Sequence, residues 1–335
     1  MKSDKRVALA LSSGGPRGFA YIGAIEELLS RGYKITSVAG SSIGSLVGGV
    51  YAAGRMEEFK QWLFTLDSWS LFTLIDISIA SNHFVKGDKI IEALQEIVPN
   101  VNIEDLAIPY RAVATDLYTG EEVVFDKGDL FSAIRASISI PSLFRPVKYG
   151  LTTLIDGCVS NPLPISQLVR HEGDILMAFD VNDVDVDGIN RRLLADHLEE
   201  QASQEFERQK MDEMQLMFHA VKADKQAGLM EKIKYAGSRS IKIVKELLAY
   251  RDENSGNEKT EYGDTYYSLL DRSFSLMNHR LSEMALAMYK PEVVVKMPFD
   301  TYGDIADYAK GKEISEIGRE MMRKALDEYE KKQGS

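Results

Sequence analysis

The chain has 335 residues, 44% of them hydrophobic, and a formal net charge of −11. That charge tells against nucleic acid as a partner, since such binding rests on neutralising phosphates, and it gives no bulk attraction to anionic membranes. No run approaches the roughly 18 apolar residues of a membrane-spanning helix, and the stretch from Val7 to Leu11, behind Lys2, Lys5 and Arg6, is too brief for a signal-peptide core. Cys158 is the single cysteine, so no intrachain disulfide can form. The expected location is therefore the reducing cytoplasm, with any membrane contact peripheral, at the inner face, and through a local patch.

Arg6 to Leu11 reads as a short buried strand that runs into a glycine turn. Apolar residues then recur at helical spacing through Phe19, Ile22, Ile25, Leu28 and Leu29, as far as Gly32. Ile35 to Ala39 is a second β-branched strand, followed by the small-residue turn Gly40 to Gly44 and a helix through Leu46, Val47, Val50 and Tyr51. Strand, glycine turn and helix thus occur twice within 54 residues, which predicts a parallel α/β sheet with helices on its faces. Further strands are predicted at Tyr110 to Thr115, Glu122 to Phe125, Leu154 to Ile155, Ile175 to Val181 and Glu292 to Met297. Between the last two the texture becomes charged and helical in period, with seven of the thirteen methionines and a polar loop tip at Asn254 to Asn257. The organisation expected is one α/β domain, residues 1–182 plus 291–335, interrupted by a helical insertion over 183–290.

Two turns carry chemistry. Gly40-Ser41-Ser42-Ile43-Gly44 is a Gly-x-Ser-x-Gly turn between a strand and a helix, where a sharp bend exposes a serine oxygen and small neighbours avoid collision. Ser41 is the rival within the motif, and the spacing favours Ser42. Gly14-Gly15-Pro16-Arg17-Gly18 also lies between strand and helix, and its glycines let backbone N–H groups approach an anion. A phosphate loop would require Lys-Ser or Lys-Thr after it, and a dinucleotide fingerprint would require glycine at Ser13 and an acidic residue closing the second strand; neither is present. The functional reading is an oxyanion hole built from the amides of Gly14 and Gly15, with Arg17 fixing the loop or holding an anionic head group. A plain tight turn is the competing reading.

A Ser-His-Asp triad would need a placed histidine. His197, His219 and His279 fall in the helical insertion, and neither His83 nor His171 has a turn or glycine context. A carboxylate can serve as base instead, if burial lifts its pKa and it hydrogen-bonds the serine directly. Asp156-Gly157, after the strand Leu154-Ile155, offers one, although an Asp-Gly pair by itself usually marks a turn.

Taken together these segments resemble the patatin-like phospholipase family. The likeness covers residues 6–182 and 291–329. Its markers are the glycine loop with Arg17, the elbow at Ser42, Ala114-Thr115-Asp116-Leu117-Tyr118-Thr119-Gly120, Arg135-Ala136-Ser137 leading to Ile140-Pro141 and Pro146-Val147, and Ile155-Asp156-Gly157 leading to Asn161-Pro162-Leu163-Pro164. The resemblance implies a three-layer α/β/α fold with a mostly parallel sheet, and hydrolysis of lipid acyl esters without metal or organic cofactor. By matching position it implies Ser42 as nucleophile and Asp156 as base, with an oxyanion hole around Gly14, Gly15, Arg17 and Gly18, and Gly40, Gly44 and Gly157 as motif glycines. Ser13 and Cys158 depart from the usual pattern, and the insertion is longer than compact bacterial members carry. The alternative is a catalytically idle lipid-binding or scaffold protein on the same fold.

Three other features invite a role. Trp62, Leu63, Phe64, Trp69, Leu71, Phe72, Leu74 and Ile75 form the most apolar stretch, suited to a core helix, a cover over an acyl channel or a membrane-touching surface. Between Lys222 and Lys245 there are seven basic residues against Asp224 and Glu231, which fits an anionic lipid surface or a solvated helix face. Asp183-x-Asp185-x-Asp187-Gly188 opens like a calcium loop, but Leu194 stands where a bidentate glutamate is needed.

Overall fold

In the computed structural model, residues 5–66, 88–141, 143–223, 266–303 and 305–334 are described. Strand β1 (Arg6–Leu11) is buried on both faces, as its run of aliphatic residues requires. Val7, Leu9 and Leu11 enter the large core, whereas Ala8 and Ala10 meet a smaller one with Leu163, Ile165, Leu176 and Ala178. The alternation of large and small residues therefore gives the sheet a thick side and a thin side.

A 3₁₀ turn over Gly15–Phe19 leads into α1 (Ala20–Ser30), then β2 (Lys34–Ser41), α2 (Ile43–Ala52), α3 (Met56–Thr65) and α4 (Asp88–Ile97). Next come the hairpin β3 (Tyr110–Asp116) and β4 (Glu122–Phe125), α5 (Leu130–Ser137), and a second hairpin of β5 (Val147–Tyr149) and β6 (Thr152–Asp156). The chain continues through β7 (Ile175–Asp183), α6 (Val186–Ala223), α7 (Tyr266–Tyr289), β8 (Val293–Pro298) and α8 (Gly311–Gln333). Hydrogen bonding links the strands in the order β5-β6-β3-β2-β1-β7-β8, with β4 also on β3. Contacts among β3, β2, β1, β7 and β8 are parallel, and those of β4, β5 and β6 antiparallel. The α/β reading holds. The sequence does not foresee β5, a three-residue strand directly after Pro146, because so short a strand shows no alternation.

Strand β3 has three partners, and their arrangement decides the site. The amide of Val38 donates to the Pro109 carbonyl and that of Leu117 to Thr153, whereas that of Asp116 turns the opposite way, to Glu121. Odd-numbered residues of β3 thus face β2 and β6 along one edge, and even-numbered ones face β4. On the shared edge β2 stops with Ser41 opposite Val113, and β6 takes over with Asp156 opposite Ala114.

By contacts the chain forms two compact units, Met1–Val184 with Leu270–Ser335, and Asp185–Leu269. From Leu270 onward α7 belongs to the first unit, with Asn278 and Ser282 buried and Ala285 and Leu286 against the small core. Helices α1 and α8 meet backbone to backbone: a side chain on Gly23 would strike the Ser315 carbonyl, and one on Gly318 the Ala20 carbonyl. Among the described residues no helix is long and apolar enough to cross a membrane. Trp69, Leu71, Phe72, Leu74, Ile75, His83, residues 224–245 of the basic cluster and the loop tip at 254–257 lie outside the described residues.

Candidate active site

The elbow after β2 is forced by steric contact on both flanks. A side chain on Gly40 would collide with the backbone of Gly44, and one on Gly44 with the carbonyls of Leu11 and Ser12. Between them Ser42 adopts φ 53°, ψ −124°, in the left-handed half of backbone space that non-glycine residues avoid. Hydrogen bonds hold it there. Its amide donates to Ser137 Oγ at 2.9 Å, and its carbonyl accepts from the Ser45 amide at 2.9 Å and the Ser45 hydroxyl at 2.7 Å.

Ser42 Oγ donates to Asp156 Oδ2 at 2.6 Å, across 114 positions of chain. The contact follows from the shared edge of β3, where Asp156 occupies the register position just past the end of β2. Asp156 has no solvent exposure, and its Oδ1 accepts the Cys158 amide at 2.8 Å. The Asp156 amide donates to the Ser139 carbonyl, so the end of α5 steadies serine and aspartate together. Burial lifts the Asp156 pKa to about 6, against the hydrogen bonds from Ser42 and Cys158, which lower it. Ser41 points elsewhere: its hydroxyl is buried 2.7 Å from where a Gly157 side chain would begin. Cys158 is buried too, and burial followed by the neighbouring Asp156 pushes its thiol pKa well up.

In the glycine loop, the amides of Ser12 and Ser13 donate to the carbonyls of Phe179 and Pro162. Those of Gly14 and Gly15 donate to no acceptor among the described residues. Gly14 (φ 153°) and Gly15 (φ 58°) have backbones suited to glycine, and a side chain on Gly14 would strike Val181. Arg17 braces the loop: Nε donates to the Val181 carbonyl at 3.0 Å and a terminal nitrogen to the Phe299 carbonyl at 2.6 Å. Gly18 fits tightly because a side chain there would run into Ile43.

Ser42 opens into a cavity of about 90 Å³. The rest of the lining is apolar or aromatic: Ile43 and Leu46 of α2, Phe59, Trp62 and Leu63 of α3 with Leu66 just after it, Ile90 and Leu94 of α4, then Ile138, Ile140, Leu143 and Phe144, with Phe19 and Tyr308. The described part of the apolar stretch thus forms a cavity wall, while Phe64 stays 36% exposed.

The patatin-like phospholipase model matches residues 9–169. These residues belong to the patatin-like phospholipase family. An uncharacterized NTE family protein of Mycobacterium tuberculosis is 46% identical over 180 residues, 54% of this chain and 50% of its own length. Lysophospholipase NTE1 of Debaryomyces hansenii is 30% identical over 191 residues, 55% of this chain and 12% of its own length. The chain spans about half the length of the mycobacterial relative and a small part of the other. Among solved structures, VipD from Legionella pneumophila aligns over 63% of this chain and 55% of its own, at 16% identity and a TM-score of 0.36. The patatin-like span holds both turns and Asp156, whereas Tyr308 and the Phe299 acceptor of Arg17 come from beyond it.

Among the described residues no histidine contacts Ser42 or Asp156; His279, for instance, bonds the Asn182 carbonyl through Nδ1 at 3.0 Å. The calcium-like run does not wrap an ion, because the chain is helical from Val186 and Asp185 instead accepts the Gly188 amide at 2.9 Å. Asp183, His279 and Glu283 converge within 4.8 Å, but the Lys296 ammonium already lies 3.3 Å from Asp183 and 2.5 Å from Glu283 and offsets one of the two carboxylate charges. Sequence reasoning missed two residues, Ser137 and Tyr308. Ser137 stands within the marker Arg135-Ala136-Ser137 and could have been singled out as a small polar residue at a helix end; Tyr308 has no motif around it.

Proposed function

We propose that this protein is a serine acyl-hydrolase of lipid esters, with Ser42 as nucleophile and Asp156 as its base. The observation that carries this reading is the 2.6 Å hydrogen bond between a strained serine and a fully buried carboxylate, at the mouth of an apolar cavity. Asp156 accepts the Ser42 proton as Oγ attacks the acyl carbonyl carbon, and the amides of Gly14 and Gly15 receive the oxyanion. Collapse of the tetrahedral intermediate releases the alcohol, which leaves with the proton held by Asp156. Water then gives a proton to the same carboxylate as it attacks the acyl-serine, and collapse of this second intermediate frees the fatty acid while Asp156 returns the proton to Ser42 Oγ. Family membership and relatives named as lysophospholipases support a lipid substrate, and a lysophospholipid is the class we favour. The cavity walls suit an acyl chain.

A fluorophosphonate probe should label the wild type and spare Ser42→Ala. On a panel of lipid esters, Asp156→Asn should lower kcat about 10³–10⁴-fold. Absence of labelling together with absence of hydrolysis would leave a lipid-binding scaffold as the better account.

A further inference from the structure

Tyr308 sits on the 3₁₀ turn over Ile305–Lys310, outside the span that matches the family. Its ring stacks edge-on against Phe19, with centroids 5.7 Å apart, and both rings line the cavity that holds Ser42. The phenol hydroxyl lies 3.4 Å from where a side chain on Gly15 would begin, so it stands directly over the glycine loop. It makes no hydrogen bond to any described residue. With Ser42 it supplies the two hydroxyls of a lining otherwise made of hydrocarbon and one indole. Tyr308 is half-buried and its hydroxyl keeps solvent access, so it is free to meet a bound molecule, and a wall needed only for packing would be served as well by phenylalanine.

We propose that Tyr308 touches the substrate as a third oxyanion donor, adding its hydroxyl to the amides of the glycine loop beside it. Its hydrogen bond strengthens as charge builds on that oxygen, so its contribution falls on the chemical step. Burial, with Asp156 adding and Arg17 opposing, pushes the phenol pKa up to about 12, which keeps it a proton donor at neutral pH. The inference rests on the reading of Ser42 as nucleophile and extends it to a residue that the family match does not reach.

The test is Tyr308→Phe in the full chain, which keeps the ring and removes one oxygen. On a p-nitrophenyl acyl ester, kcat should fall about 10–100-fold with KM within about twofold and an unchanged melting temperature. Fluorophosphonate labelling of Ser42 should slow in step, because the phosphonyl oxygen develops charge in the same place. Wild-type kcat in the variant, or a raised KM alone, overturns the inference and leaves the Ser42 reading standing. A wild type that neither turns over nor takes up the probe overturns both.

Discussion

Two turns at adjacent parallel strands, one after β1 and one after β2, use glycine for opposite ends. After β2, Gly40 and Gly44 are needed for space: their neighbours are backbone atoms that cannot move, and the strained conformation falls on Ser42 between them. After β1, the unusual conformations fall on Gly14 and Gly15 themselves, and the space beside Gly15 is nearly open. The first arrangement aims a side chain, and the second leaves amides without internal acceptors. Similar local sequence thus gives two geometries, according to which residue carries the positive φ.

The same substitution in the two turns should break this comparison most sharply. Gly44→Ala should cost about 3 kcal/mol or more in denaturant unfolding, because the Leu11 and Ser12 carbonyls must shift. Gly15→Ala, by contrast, faces only a left-handed backbone and the Tyr308 hydroxyl at 3.4 Å, so it should cost roughly 1–2 kcal/mol and lower kcat at least tenfold. Comparable losses of stability in both would show that the first turn is also a packing element.

The next effect is on pH dependence. With its pKa raised to about 6, Asp156 is protonated and unable to act as base in acid, so kcat/KM should climb about tenfold per unit below pH 6 and level off above it. For folding the sign is reversed. The native state holds this proton more tightly than the unfolded chain does, so the contribution of Asp156 to stability declines from about pH 4 to pH 6 as the buried charge forms. A rate profile flat from pH 5 to 8 would remove Asp156 as the titrating base. The smallest effect expected is that of Ser137→Ala, which leaves the Ser42 amide without its 2.9 Å acceptor. We expect kcat to fall about tenfold with the apparent pKa near 6 retained, since Ser137 bonds the backbone of Ser42, the proposed nucleophile, and makes no hydrogen bond to Asp156.

Much of the fold could be read from the chain because it is local. Aliphatic runs at Val7 to Leu11 and Ile35 to Ala39, each closed by small residues and a helical period, define the two strand–turn–helix units without reference to anything distant. The Ser42–Asp156 meeting is different in kind. Strand succession along one edge of β3 creates it, and no spacing in the sequence encodes which strand takes over where β2 ends; the motif resemblance supplied that pairing. Tyr308 was illegible for the same reason, as it reaches the cavity through tertiary packing on Phe19. Arg17 was legible as a loop residue, but its acceptors, Val181 and Phe299, come from strand ends more than 160 positions away.

The close approach of Gly23 to the Ser315 carbonyl, and of Gly318 to that of Ala20, has a consequence for how much chain the patatin-like span needs around it. Residues 9–169, which mark the family, include only one half of that interlocked pair, and the other half arrives with the last helix of the chain. A fragment trimmed to the recognisable portion would carry both Ser42 and Asp156 yet present to water the flank of α1 that α8 covers. The stretch by which kinship is detected and the stretch that can stand by itself are therefore not the same.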